Sequence, residues 1–168
     1  KLRNKLNFHW ALEALEENSY SSKDDISYET TQSKTLDDAT DDTSAHNQSS
    51  IVFLLETDEK QKFLFTGDAG RDAFNHVPQT LLGKVKDVTW MKVPHHGSKH
   101  NLDSTIIKHV NPEIAYISTE KQGKYLNRST VFALKKNGTK VYSTSQNRST
   151  IRHGAIKTRE GWTKIEPM

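Results

Sequence analysis

Not one of the 168 residues is cysteine, which excludes a disulfide framework and a thiolate-ligated metal site together. Proline is scarce, at 4 residues, so a proline-rich linker is excluded as well. Apolar residues make up only 33% of the chain and the mean hydropathy is −0.80. No apolar run approaches the roughly 20 residues a membrane span requires, and the first residues do not have a signal-peptide pattern. A soluble, cytoplasmic protein is expected. What remains is enough for one domain, because single cores typically serve roughly 100–200 residues.

Charge is distributed unevenly. Residues 1–60 hold 6 Lys/Arg against 13 Asp/Glu, and residues 61–168 hold 18 against 8, so a formal net charge of +3 conceals an acidic front of −7 and a basic body of +10. A basic body raises the local concentration of anions such as phosphate esters or nucleic acid. The same count also fits a solvated lysine-rich surface.

Leu6, Trp10, Leu12 and Leu15 recur at a rough 3.6-residue period and predict a short helix over residues 5–17, within a first unit of residues 1–18. Residues 19–50 turn to Ser, Thr, Asp and Gln, with few sizeable apolar side chains, Ile26, Tyr28 and Leu36 among them. Such a stretch buries too little surface to offset its ordering entropy, so an acidic loop, partly disordered, is expected there, with a short strand at residues 26–28. Regular structure is expected over residues 51–168. Residues 51–56 and 62–66 flank a polar turn and predict a hairpin whose strands are buried on both faces. A helix to about Leu82 follows Gly70, then a strand at residues 88–93. Residues 102–110 are helical in period, with Asn101 or Asp103 as cap and Asn111 and Pro112 as stop. A strand (114–118), a helix (130–136) closed by Asn137 and Gly138, and a strand (140–144) complete an α/β layered sheet. The tail, 150–165, predicts one or two edge strands.

Two motifs carry chemistry. Thr66, Gly67 and Asp68 end the second hairpin strand, and open α/β sheets bind ligands outside the carboxyl ends of their strands. Asp68 is therefore a candidate ligand, its alternative role being a turn residue or cap. Lys92 to Asn101 read K-V-P-H-H-G-S-K-H-N, with Pro94 ending the ladder and His95 and His96 directly after it. Carboxylate plus imidazole suits zinc, with manganese or iron as alternatives. Adjacent histidines on an extended backbone point in opposite directions, so one of the two is expected to bind metal while the other orients or meets substrate. Gly97 and Ser98 offer N–H groups and a hydroxyl to an oxyanion. His46 is placed to approach from a neighbouring strand end, or else is solvated. His9, His76, His100, His109 and His153 are expected on the surface or in helices.

Five stretches now stand in order: N-Q-S-S-I-V-F-L-L-E (47–56), F-L-F-T-G-D-A (63–69), V-P-H-H-G-S-K (93–99), P-E-I-A-Y-I-S (112–118) and V-Y-S-T (141–144). Together they resemble the metallo-β-lactamase superfamily, and within it the ComEC-type branch linked to competence and DNA uptake. The resemblance implies an αβ/βα sandwich whose two halves supply one or two metal ions at their strand ends. Asp68 would be a metal-bridging carboxylate, His95 or His96 the last histidine ligand, and a metal-activated water the nucleophile. The family's H-x-H-x-D-H string is absent, so the chain is expected to hold the C-terminal half of the fold, with the N-terminal half on further sequence or a partner; a degenerate protein is the alternative. Where relatives read N-x-Y-x-H-P, Tyr125 is retained, Asn127 replaces the histidine and Arg128 the proline. Arg128 is then a phosphate clamp or a helix-start residue.

The expected function is a metal-dependent phosphodiesterase or nuclease, with Asp68, His95 and His96 at the metal and Lys92, Ser98, Lys99 and Arg128 on substrate phosphate. The alternatives are an inactive basic nucleic-acid-binding or interaction module and a hydrolase of a small ester, lactam or thioester.

Overall fold

The structure is a computed structural model that describes residues 35–119, 125–144, 160 and 167–168, together with the backbone of residues 6–7, 150–152 and 162–164. Its centre is a mixed sheet of β1 (Leu6–Asn7), β2 (Phe53–Glu56), β3 (Lys62–Phe65), β4 (Trp90–Lys92), β5 (Ile114–Ile117) and β6 (Lys140–Ser143), in that spatial order. β1 to β3 run antiparallel, and β3 to β6 run parallel. The change follows from the connections. A short polar turn joins β2 to β3, closed by Thr57 N–H to Gln61 O at 3.0 Å, whereas parallel neighbours need crossovers. Those are α2 (Arg71–Asn75) and α3 (Gln79–Leu82) after β3, α4 (Ser104–Val110) after β4, and α5 (Arg128–Lys136) after β5; a short helix, α1 (Ala45–Gln48), precedes β2.

Alternation along the strands sends Leu54, Leu64, Met91, Ala115, Ile117 and Val141 into one core with Ile107, Val110 and Leu134 from the helices. Leu64 and Met91 are completely buried, each contributing about 1.5–3 kcal/mol of transfer free energy. The sheet's other face carries rings instead. Phe53 stacks on Phe65 at 4.5 Å between centroids, Phe65 meets Trp90 at 5.1 Å, Trp90 meets Tyr116 at 5.7 Å, and Tyr116 stacks on Tyr142 at 5.1 Å. Burial, aided by Tyr142, pushes the Tyr116 hydroxyl up to about 12. Phe53, Phe65, Trp90 and Tyr116 remain only half-buried. The hairpin is therefore fully buried on one face, not two.

Several elements depart from expectation. The helix after Gly70 is two helices, because Pro78 caps the second and disfavours helical backbone at Val77 before it. Asp103, not Asn101, caps α4, accepting from Ile106 N–H at 2.7 Å. The tail strands β7 (Thr150–Arg152) and β8 (Trp162–Lys164) pair with each other in a separate parallel sheet and do not extend the main one. Leu6 and Asn7, expected in a helix, pair with Leu55 and Leu54 as an outer strand; the rest of that helix and the strand at 26–28 lie outside the described residues.

Within the polar segment expected to be a loose loop, residues 35–50 are described, and they are ordered by a residue far away in sequence. Arg71 is 7% exposed. Its Nε–H reaches Leu102 O at 3.0 Å, Nη1 reaches Ala39 O at 3.0 Å and Asp41 Oδ1 at 2.7 Å, and Nη2 reaches Leu36 O at 3.0 Å and Lys99 O at 3.1 Å. All five guanidinium protons are thus used. Asp37 adds two bonds from Ser104 at 2.6 Å, and Leu36 is buried.

Candidate metal centre

β3 and β4 are parallel neighbours, so the turns leaving their carboxyl ends lie side by side, and these turns carry Asp68 and His95. Gly67 turns the backbone at φ 55°, and a Cβ there would stand 3.0 Å from Ser50 Cβ. Ser50 Oγ uses that proximity to accept Asp68 N–H at 3.1 Å. Lys92 Nζ donates to Gly67 O and lies 3.6 Å from Asp68 Oδ1. Burial pushes the Lys92 ammonium down, opposed by the Asp68 charge.

After Pro94 the backbone does not stay extended. His95 (φ 41°, ψ 52°) and His96 (φ 54°, ψ 24°) both adopt left-handed conformations, which cost a non-glycine residue roughly 1–2 kcal/mol each. The premise that the two rings must diverge across an extended strand is therefore corrected: their centroids are 6.1 Å apart, and Tyr125 lies 4.3 Å from His95 and 6.0 Å from His96. Gly97 follows at φ 87°, where a Cβ would press on Ile117 and Leu126 at 3.1 and 3.2 Å.

His96 Nδ1 lies 2.6 Å from Ser118 O, and His95 Nδ1 lies 3.2 Å from Asp42 Oδ2. Carbonyl and carboxylate oxygens only accept, so both Nδ1 atoms carry a proton, and the neutral form of each ring leaves its Nε2 lone pair open. This is the arrangement in which metal-binding histidines are normally held. Asp42 was not among the expected site residues. Its Oδ2 also accepts from Asn47 Nδ2 at 2.6 Å and Asn101 Nδ2 at 3.0 Å, and its Oδ1 from Ser44 N–H at 2.9 Å. Burial pushes the Asp42 carboxyl up, but the bonds from His95, Asn47, Ser44 and Asn101 outweigh it and leave the group well below the usual carboxylate range. The His95 imidazole rises in turn, through its bond to Asp42 first, against desolvation and with help from the Asp68 and Asp42 charges and Asn101. Asn101, fully buried, also donates to Asp68 O at 3.1 Å, and its Oδ1 has no hydrogen-bond partner.

The remaining expected residues divide. Ser98 is 4% exposed; its N–H donates to His95 O, and its Oγ accepts from His100 N–H at 3.2 Å. It therefore shapes the turn, whatever its hydroxyl meets besides. Lys92 likewise braces the Asp68 turn. Asn127 caps α5 through Ser129 N–H at 2.9 Å and ties that helix to Gly97 O at 3.1 Å, bringing exposed Arg128 beside the histidine turn. Lys99 is half-buried, with its carbonyl on Arg71. His46 is exposed on α1, while His76, His100 and His109 bond the carbonyls of Asp72, Thr40 and Leu82. His9, His153 and residues 123–124 lie outside the described residues.

The donor chemistry fits a divalent cation, but the shell is incomplete: among the described residues no group of three or more His, Asp or Glu side chains converges on a metal position. A cavity of about 290 Å³ opens nearby, lined by Phe65, Trp90, Lys92, Tyr116, Ser118 and Thr144. Among the described residues no helix is long and apolar enough to cross a membrane.

Fold and site together define an α/β protein with a mixed sheet and a histidine–carboxylate cluster at adjacent strand ends. No family model matches the chain. It is similar to ComE operon protein 3 of Bacillus subtilis (strain 168), 30% identical over 128 residues that make up 75% of this chain and 16% of that protein. The chain spans about a sixth of the length of that relative.

Proposed function

We propose that this chain is the C-terminal half of a metallo-β-lactamase-like αβ/βα sandwich and contributes to a metal-dependent phosphodiesterase, with nucleic acid as the substrate class. The observation that supports it most is the pair of imidazoles fixed through Nδ1 beside Asp68. In this reading Asp68 and Nε2 of His95 or His96 hold the cation, zinc first and manganese or iron next. The aromatic face of the sheet packs against the other half of the sandwich, which supplies the missing ligands. When bound, the metal polarises a phosphoryl oxygen and makes a water a better nucleophile near neutral pH.

The chain's own residues orient and bind. Gly67 and Lys92 present the Asp68 carboxylate, and the strained turn presents both rings. Arg128 at the start of α5, with Lys99, meets substrate phosphate; the basic body draws the polyanion in. DNA uptake is the context that the similarity to ComE operon protein 3 suggests for such a substrate.

The test is metal analysis of the intact protein beside an Asp68→Ala variant. The wild type is expected to retain zinc and the variant to lose at least one equivalent; equal metal content in the two would sink the assignment. A second reading is favoured by the incomplete shell: a basic nucleic-acid-binding module without catalysis. It requires salt-sensitive DNA binding that persists in chelator with no cleavage, whereas the hydrolase reading requires cleavage that chelator abolishes and zinc restores.

A further inference from the structure

We propose that Asp42 is the positioning residue for His95: by taking the Nδ1 proton of that ring it fixes Nε2 as the donor turned to a divalent cation. The inference rests on the metal-centre reading above and deepens it.

The carboxylate is held much more firmly than a loop residue needs. Its side chain is 11% exposed, and its two oxygens take bonds from His95, Asn47, Asn101 and Ser44 N–H. The backbone is pinned as well. Asp42 N–H donates to His100 O at 3.1 Å, Gln48 Nε2 donates to Asp42 O, and Arg71 grips Ala39 and Asp41 just before it. Neither the carboxylate nor the loop can therefore follow the ring if the ring turns. Asn47 Nδ2 also lies 3.3 Å from His95 Nδ1, but its shorter contact is to Asp42 Oδ2 at 2.6 Å, and an Nδ1 without a proton would face the lone pairs of that carboxylate at 3.2 Å. The one amide of Asn101 bridges Asp42 Oδ2 and the Asp68 carbonyl, so the same side chain that steadies the positioning carboxylate steadies the turn of the candidate ligand carboxylate. Sequence proximity does not assemble this arrangement: Asp42 lies 53 residues from His95 and 59 from Asn101 along the chain.

Two measurements on the intact protein test this. Ring ¹⁵N NMR of the metal-free wild type is expected to show neutral His95 as a single Nδ1–H tautomer. In Asp42→Asn, whose neutral amide can equally turn its NH₂ to a bare ring nitrogen, a mixture of tautomers is expected. Calorimetric titration with Zn²⁺ alone should then show affinity roughly 10- to 100-fold weaker in Asp42→Asn, with Asp42→Glu recovering part of it because the charge is kept. A His95 tautomer unchanged in Asp42→Asn, or Zn²⁺ affinity unchanged despite a changed tautomer, overturns the proposal. If the wild type takes up no Zn²⁺, the metal-centre reading is what fails, and the tautomer measurement alone decides whether Asp42 positions His95. Should Asp42→Asn not fold, Asp42→Ser carries both readouts: it also removes the carboxylate that accepts the Nδ1 proton, so mixed tautomers and weaker Zn²⁺ binding are again expected, and the wild-type tautomer or affinity would overturn the proposal.

Discussion

Two buried polar clusters stand within a few residues of each other, around Arg71 and around His95, and they are built on opposite plans. Arg71 places each of its protons on an oxygen and sits on a helix with ordinary backbone. The histidine cluster leaves two ring nitrogens open, leaves Asn101 Oδ1 without a partner, and holds two consecutive non-glycine residues in left-handed conformations. Complete satisfaction is what a structural joint requires. Unsatisfied capacity and strain, kept in place by a satisfied neighbour, are what a binding site requires. The first cluster anchors the loop that carries Asp42 to the second, so the contrast is also a division of labour.

The largest expected effect comes from breaking the satisfied cluster. Arg71→Met deprives the carbonyls of Leu36, Ala39, Lys99 and Leu102 of their donors, and we expect a loss of about 3–5 kcal/mol in urea unfolding. Arg71→Lys should recover only a small part, because one ammonium cannot span the same oxygens. A loss under about 1 kcal/mol in Arg71→Met would show that the loop is not fastened there, and the contrast between the clusters would collapse.

A smaller and pH-dependent effect is expected in the histidine cluster of the metal-free protein. Asp42 has a folded pKa below its ordinary value, so its contribution is present above about pH 4 and is lost as pH falls through the folded pKa. His95 has a folded pKa above its ordinary value near 6.5, so its contribution is full below about pH 6.5 and is lost as pH rises through the raised pKa. The pair should therefore stabilise most between about pH 4 and 6.5 and less on either side. The difference between thermal melts of wild type and Asp42→Asn in chelator across pH 3–9 should be largest in that window, should shrink above it as His95 loses its proton, and should shrink below it as the pH falls toward 3. A constant offset over the whole range would mean that the bond in the structure is not carried by charge.

How much of this could be read in the sequence follows from the range of each interaction. The strands β2 to β6 and the helices α4 and α5 were legible because periodicity and caps are local: Asn111 and Pro112 end α4 where they stand. The placement of Asp68, His95 and His96 at adjacent strand ends was legible because each closely follows an apolar strand. Asp42 was not. It sits in a polar acidic segment whose order depends on Arg71, and composition alone assigns such a segment to a loop. The only local signals were that Asn47 opens the stretch 47–56 and Asn101 closes the stretch 92–101, and neither amide has a role until the turns are folded together. For Ser98 the sequence offered only the hydroxyl beside two histidines; its N–H closing the turn onto His95 O is visible only in the fold.

The smallest effect is expected at His96, and its smallness is the point. His96→Gly removes one side-chain bond, to Ser118 O, at a cost of about 0.5–1.5 kcal/mol. It also relieves a left-handed conformation that glycine adopts without the roughly 1–2 kcal/mol penalty of other residues. The two nearly cancel, so unfolding free energy should change by less than about 1 kcal/mol. A residue kept for stability would not be replaceable by glycine at such a position. If His96 is retained for its open Nε2, the intact protein should lose metal or substrate affinity in the same variant whose stability is unchanged. A loss of more than about 2 kcal/mol would instead make the ring a structural element, and the histidine cluster would then differ from the Arg71 cluster in degree only.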